Sequence, residues 1–340
     1  MAPAPLTVLD TLGRPMRDLR VSVTDRCNFR CGYCMPREVY GPDHAFLPRA
    51  EILSYEEIAR VVGAAVALGV RKVRLTGGEP LVRRSLETLV GMLAGIAEIE
   101  DLTLTTNATL LASKAQALAD AGLHRVTVSL DALDDATFMR MNDAQVPVAT
   151  VLDGMAAAEA AGLGPIKLNA VIRRGMNEHA VFDLAERFRG TDTVVRFIEY
   201  MDVGHTNGWR LDEVVPAGEI LAAIDARWPL EPADASYRGE VAQRWRYRDG
   251  AGEIGVISSV TQPFCGDCTR ARLSADGSLY TCLFATAGHD LRPILRSGAD
   301  DAALADALRA TWTGRSDRYS ELRSLDTVEL PKIEMSYIGG

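Results

Sequence analysis

Six short segments of this chain, 19–24, 71–76, 102–107, 125–131, 166–172 and 194–200, read as β-strands, and all six are two-faced in the same way. Neighbouring residues on a strand point to opposite sides. One parity is apolar: Leu19, Val21 and Val23; Val73 and Leu75; Leu102 and Leu104; Val126, Val128 and Leu130; Ile166 and Leu168; Val195 and Phe197. The other carries Arg20, Ser22 and Thr24; Arg74 and Thr76; Thr103 and Thr105; Thr127, Ser129 and Asp131; Lys167 and Asn169; and Arg196. Helical patterns separate the segments. Ser54-Tyr55-Glu56-Glu57 is a capping box, and Ile58, Val61, Val62, Ala65 and Val66 follow at helical spacing up to Gly69. Gly122 and Gly162 end later helices in the same manner. Alternating β and α units predict a parallel sheet with right-handed crossovers.

A closed eight-stranded barrel fills its interior with bulky branched side chains. Here the interior parity is hydroxyls, amides and cations. Burying such groups without partners costs about 1–3 kcal/mol each. The pattern therefore predicts an open partial barrel of six strands around a cavity that holds water and a polar ligand. A plain open sheet with one face in solvent accounts for the threonines, but less well for Arg20, Arg74, Lys167 and Arg196.

The cysteines fall into two groups of three. Cys27, Cys31 and Cys34 have the spacing C-x3-C-x2-C on a loop leaving the carboxyl end of the first strand, where parallel α/β proteins place ligand sites. Electron-transfer clusters take four cysteines. Three thiolates leave one iron of a cubane cluster open, and an open position marks a catalytic metal site. The plainer readings are a zinc knuckle or three buried thiols. Cys265, Cys268 and Cys282 form the second group, around Arg270, Arg272 and the hairpin signal Asp276-Gly277. A zinc ion there would need a fourth ligand such as Asp267 or His289. A cluster would again have an open iron, beside two arginines suited to bidentate phosphate recognition. The turn Thr76-Gly77-Gly78-Glu79-Pro80 lets backbone approach a ligand, and Glu79 offers a carboxylate to an amine.

With 340 residues, 47% of them hydrophobic, the chain can build one large domain or two ordinary ones. Its net charge of −9 argues against a nucleic-acid or anionic-membrane surface, though not against a small anion held by local arginines. No apolar run is long enough to span a bilayer, and Met1-Ala2-Pro3-Ala4-Pro5 does not open a signal peptide. The expected location is the cytoplasm, where cysteines serve as metal ligands rather than in disulfides.

Taken together, CNFRCGYC, LTGGEP, LTTN, SLD, RFIEYM, FCGDCTRARLSADGSLYTCLF and the terminal SYIGG resemble the GTP 3′,8-cyclases, radical S-adenosylmethionine enzymes of the first step of molybdenum cofactor biosynthesis. The resemblance runs from about residue 17 to the end. It implies an α/β fold: an N-terminal extension over 1–16, an incomplete (β/α)6 TIM-like barrel over 17–213, and an α+β region over 214–340 that closes the open side and carries a second cluster and a Gly-Gly tail. It implies two [4Fe–4S] clusters, on Cys27, Cys31 and Cys34 and on Cys265, Cys268 and Cys282. It implies contacts to S-adenosylmethionine from Tyr33, Gly78, Ser129 and Met201. Contacts to GTP are implied for Arg20, Arg74, Thr105, Lys167, Arg270, Ala271 and Arg272, with Arg196 a further cation on the same parity. Arg270, Arg272, Gly339 and Gly340 are implied at the reacting centre. The implied activity is that of a lyase cyclising GTP to (8S)-3′,8-cyclo-7,8-dihydroguanosine 5′-triphosphate. Its implied partners are an electron donor of the flavodoxin or ferredoxin type and a cyclic pyranopterin monophosphate synthase that takes the product. The protein is expected as a monomer or homodimer, without nucleic acid or membrane. One departure is Ala108, where the family usually has glycine after TTN. Two other readings are a peptide-modifying radical S-adenosylmethionine enzyme with an auxiliary cluster and a zinc-stabilised binding protein without catalysis.

Overall fold

A computed structural model describes residues 7–328 and 330–339. Twelve strands form one sheet. They are β1 (Asp18–Ser22), β2 (Lys72–Thr76), β3 (Asp101–Thr106), β4 (Arg125–Ser129), β5 (Lys167–Ile172), β6 (Val194–Glu199), β7 (Leu230–Ala233), β8 (Gln243–Tyr247), β9 (Glu253–Ile257), β10 (Arg270–Leu273), β11 (Ser278–Tyr280) and β12 (His289–Asp290). The helices are α1 (Tyr55–Ala67), α2 (Leu86–Ala94), α3 (Ala115–Asp120), α4 (Asp135–Asn142), α5 (Val148–Ala160), α6 (Ala180–Phe188), α7 (Ala217–Arg227), α8 (Arg292–Arg296), α9 (Asp301–Thr313), α10 (Leu325–Val328) and α11 (Met335–Ile338). None is long and apolar enough to cross a membrane.

The sheet order is β12-β11-β10-β1-β2-β3-β4-β5-β6-β9-β8-β7. Strands β1 to β6 lie parallel in chain order. Each matches its expected segment to within two residues at either end. The sheet does not close on itself, so this is an incomplete barrel. The sequence left open how the C-terminal region meets it. Two of its strands continue the parallel run, β10 beside β1 and β9 beside β6, and antiparallel strands follow at both edges. Backbone groups at both edges of the six-stranded core are thus paired, which open sheet edges require.

The apolar parity is buried from Leu19 to Phe197 and packs with the helices in one core. Helix α1 starts where its capping box places it: Glu57 N donates to Ser54 Oγ at 3.1 Å, and Ser54 N to Glu57 Oε2 at 2.7 Å. It buries Ile58, Val61, Val62, Ala65 and Val66, and Gly69 turns the chain back at φ +115°. Ala108 stands in the left-handed region at φ +63°, which explains why glycine suits this position; the alanine costs about 1–2 kcal/mol there.

Candidate active site between two cysteine triplets

Most of the polar parity, though not Ser22, Thr24, Thr103 or Thr127, lines a cavity with about 2260 Å³ of atom-free space, its open mouth included. All six cysteines face it, and none is in a disulfide. Among the described residues, no three His, Cys, Asp or Glu side chains converge as a single-ion site. The donor set suits iron–sulfur clusters. Backbone N–H groups of Phe29 and Phe284 point at Cys27 Sγ and Cys282 Sγ, at 3.4 and 3.5 Å, as sulfur anions require. The fourth zinc ligands considered from sequence are not delivered. Asp267 is exposed and paired with Arg238 at 2.8 Å, and His289 lies on β12 outside the cavity wall.

At the carboxyl ends of the strands stands the first triplet. Burial pushes the Cys27 thiol up to about 12, with Glu79 adding to it, so these thiols need a metal to ionise. Gly77-Gly78 packs against the backbone of 24–26: a Cβ on Gly78 would lie less than 3.0 Å from the Arg26 carbonyl. The glycines therefore serve the approach of the chain to itself as well as to a ligand. Glu79 stands on the cavity wall. It is buried, and it accepts from Leu81 N at 3.0 Å, Thr106 Oγ1 at 2.7 Å and Asn107 N at 2.7 Å. Burial raises it to about 7, against those hydrogen bonds. Its hydrogen bonds tie the GGEP turn to TTN. Opposite, Asp131 accepts from Tyr33 Oη and Val171 N, both at 2.8 Å, and is raised to about 6 by burial. Ser129 and Met201 complete this end of the wall.

The cations stand on the strands themselves, further from the carboxyl ends than Ser129 and Asp131. In register, Arg272, Arg20 and Arg74 stand side by side on β10, β1 and β2. Burial, and then Arg272, Arg74 and Arg270, hold the Arg20 guanidinium well below its ordinary range, with Asp18 opposing. Arg74 Nη1 donates to Thr105 Oγ1 at 3.1 Å and Thr127 Oγ1 at 3.3 Å, and Arg196 shares Thr127 at 3.4 Å. Arg196 Nε and Asn169 Oδ1 are buried without a partner. Lys167 is pulled down to about 7 by burial, then by Arg196, Arg125 and Lys72, and Arg196 falls to about 9, by burial and then Arg74. Charges crowded in this way favour a bound polyanion.

Three residues around the cations were missed from sequence. Lys72 shares the parity of Arg74 and lines the wall, bonded to Tyr237 Oη at 2.8 Å and Asp101 at 3.2 Å. The same parity rule would have found it. Tyr237 and Glu240 come from the loop between β7 and β8, which no local pattern assigns to the cavity. Ala271 needs a correction. It sits beside Leu19 in register, and its side chain is in the apolar core, so only its backbone is left to reach a ligand.

The second triplet opens at the start of β10. Arg270 Nη2 and Arg315 Nη2 donate to Cys268 Sγ at 3.2 and 3.1 Å. Although burial opposes it, the charges of Arg270 and Arg315 bring this thiol down to about 6. Cys282 is pushed up to about 12 by burial.

The C-terminal segment is strapped to the loop after β6. Lys332 is buried with Asp202, Nζ to Oδ2 at 3.3 Å, and Glu334 accepts from His205 N at 3.1 Å. Met335 lines the cavity, and Arg272 donates to the carbonyl of Gly339. Gly340 lies outside the described residues.

Residues 21–188 match the model of the Radical SAM superfamily, and 193–321 that of Molybdenum Cofactor Synthesis C. The chain is 57% identical to a GTP 3′,8-cyclase of Acidothermus cellulolyticus, over 98% of this chain and 99% of the relative. It is 55% identical to one from Xanthomonas axonopodis pv. citri, over 97% and 98% of the two chains. A third, from Staphylococcus aureus, is 48% identical over 98% and 99%. In fold it is similar to Streptococcus suis SuiB bound to S-adenosylmethionine, with a TM-score of 0.61 and 14% identity over 93% of this chain and 72% of that one.

Proposed function

Because the chain belongs to the GTP 3′,8-cyclase family, we propose that it cyclises GTP to (8S)-3′,8-cyclo-7,8-dihydroguanosine 5′-triphosphate with S-adenosylmethionine, the first step of molybdenum cofactor biosynthesis. One observation carries the assignment: the cavity is polarised along the strands. Glu79, Asp131 and Ser129 stand at the first triplet, and over the rest of the wall the cations Arg20, Lys72, Arg74, Lys167, Arg270 and Arg272 outnumber the carboxylates, among them Asp18, Glu240 and Asp317. S-adenosylmethionine, a cation at sulfur with an amine, fits the first end. A triphosphate fits the other.

When bound, a cluster on Cys27, Cys31 and Cys34 supplies one-electron chemistry to S-adenosylmethionine, and one on Cys265, Cys268 and Cys282 supplies an open iron to the purine. The chain does the positioning. Tyr33, Gly78, Ser129 and Met201 frame the methionine and adenosine. Arg20, Arg74, Arg196, Arg270 and Arg272 hold the phosphates, with Lys167 and Thr105 beside them and Ala271 acting through its backbone. Arg272 also holds Gly339, which places the tail where it excludes water from a reactive sugar. The electron donor, of flavodoxin or ferredoxin type, and delivery of the product to a cyclic pyranopterin monophosphate synthase complete the reading.

The test is an anaerobic assay of the reconstituted protein with GTP, S-adenosylmethionine and dithionite. Mass spectrometry should find the cyclised nucleotide and 5′-deoxyadenosine in equal amounts. 5′-Deoxyadenosine formed while GTP is left intact would refute the substrate.

Lys167 gives a pH dependence. In the empty cavity it titrates near 7, and phosphates beside it would raise that value. Binding is then coupled to proton uptake, and affinity falls as pH rises above 7. The arithmetic of linkage gives roughly fivefold weaker binding at pH 8 than at pH 7. Titration calorimetry should show this fall in the parent and not in Lys167→Met. Equal slopes in both would remove Lys167 from the phosphate site.

A further inference from the structure

The residues before β1 belong to no part of the reaction described so far, yet they reach the second triplet. Asp10 to Arg14 is a tight turn. Asp10 Oδ1 accepts from Leu12 N and Arg14 N, both at 2.9 Å, and Gly13 takes φ +72°. The turn projects the Arg14 side chain inward, where it is fully buried. Its Nε donates to Asp10 Oδ2 at 2.6 Å, and its Nη1 to the carbonyls of Cys265 at 2.7 Å and Asp317 at 2.8 Å. Arg315, just past α9, is buried on the same Asp10 oxygen at 3.4 Å. Its fork spans one ligand residue: Nη1 to the Cys268 carbonyl at 2.7 Å, Nη2 to Cys268 Sγ at 3.1 Å. Thr11 holds the Arg315 carbonyl through Oγ1 at 2.6 Å, and Trp312 Nε1 holds that of Arg14 at 3.0 Å. Among the described residues, no guanidinium donates to a first-triplet sulfur; Arg30 reaches only the Cys27 carbonyl there, at 2.8 Å.

We propose that Asp10, Arg14 and Arg315 are the outer shell of the second triplet, and that Arg315 is a positioning residue whose charge on the Cys268 sulfur raises the reduction potential of the cluster held there. The proposal rests on the reading of that triplet as a cluster site. Hydrogen bonds and positive charge at a thiolate favour the more negative, reduced state of a cluster. A planar fork bound at two atoms of one cysteine also fixes that sulfur's direction, which an ammonium cannot do. Arg315 is the residue to change. Removing Arg14 would take the closer of two cations from the buried Asp10 carboxylate and endanger the fold itself.

The experiment compares the anaerobically reconstituted parent with Arg315→Gln and Arg315→Lys by iron analysis and EPR-monitored redox titration, using the response to S-adenosylmethionine to mark the first cluster. The parent should hold about eight irons. Midpoint potentials of the second cluster should fall in the order parent, Arg315→Lys, Arg315→Gln. Loss of about four irons in Arg315→Gln alone, with the S-adenosylmethionine response intact, also supports the shell. Should Arg315→Gln fail to fold, Arg315→Met takes its place as the uncharged variant, since Arg315→Lys keeps the charge. Full iron and a parental midpoint in whichever variants fold overturn the proposal. A parent with only about four irons overturns the second-cluster reading itself.

Discussion

Replacing Cys265, Cys268 or Cys282 by alanine should halve the iron content and reduce GTP cyclisation to background, while S-adenosylmethionine is still cleaved. The two triplets share a cavity but draw on separate elements. The first is a loop after β1 tied to the GGEP and TTN turns through Glu79. The second hangs on β10, the 282–284 turn and the buried arginines. Loss of one thiol from the second therefore leaves the first end intact. The mirror experiment, Cys27→Ala, Cys31→Ala or Cys34→Ala, should abolish both products, since cleavage must precede cyclisation. Quantifying 5′-deoxyadenosine and cyclised nucleotide in one anaerobic reaction separates the two sets. Cyclisation at the parental rate without Cys268 would make the second triplet structural. Cleavage without Cys31 in a folded protein would remove the first from the chemistry.

How much of this was legible before any coordinates depended on whether the signal was local. Side-chain alternation is a property of adjacent residues, so six strands and their cavity face could be read directly, and the capping box at Ser54 likewise. Lys72 obeys the same rule. Strand β10 is only four residues, Arg-Ala-Arg-Leu, and its place beside β1 depends on pairing across some 250 positions. That distance explains Ala271: a motif names three consecutive residues, but the pleat turns the middle one into the core. The same reason hid Asp10 and Arg315, whose contact joins positions 305 apart. The carboxylate of Glu79 was visible, but its three donors were not, because they converge only when the turns after β2 and β3 meet.

Gly339→Ala should leave iron content and binding of S-adenosylmethionine and GTP near parental values and lower product formation at least tenfold. Two independent penalties act there. A Cβ on Gly339 would lie less than 3.0 Å from Thr76 Cγ2, on a wall strand whose backbone is fixed by β1 and β3. Overpacking of that kind costs about 1–3 kcal/mol. The backbone at φ +76°, ψ 112° is also one that side chains rarely adopt, for about 1–3 kcal/mol more. Every 1.4 kcal/mol is a factor of about ten in the docked population. The rest of the strap resists this loss: Lys332 on Asp202 and Glu334 against the 204–205 backbone hold the segment up to α11 in place. The substitution should therefore release the last residues alone, including the carbonyl held by Arg272, and spare the fold. Thr76→Ser removes the methyl group that a Cβ would strike. Combined with Gly339→Ala it should recover part of the activity and no more, because the backbone strain remains. Full recovery in the double variant would show that the clash was the whole effect; a single variant as active as the parent would show that cyclisation does not depend on the docked tail.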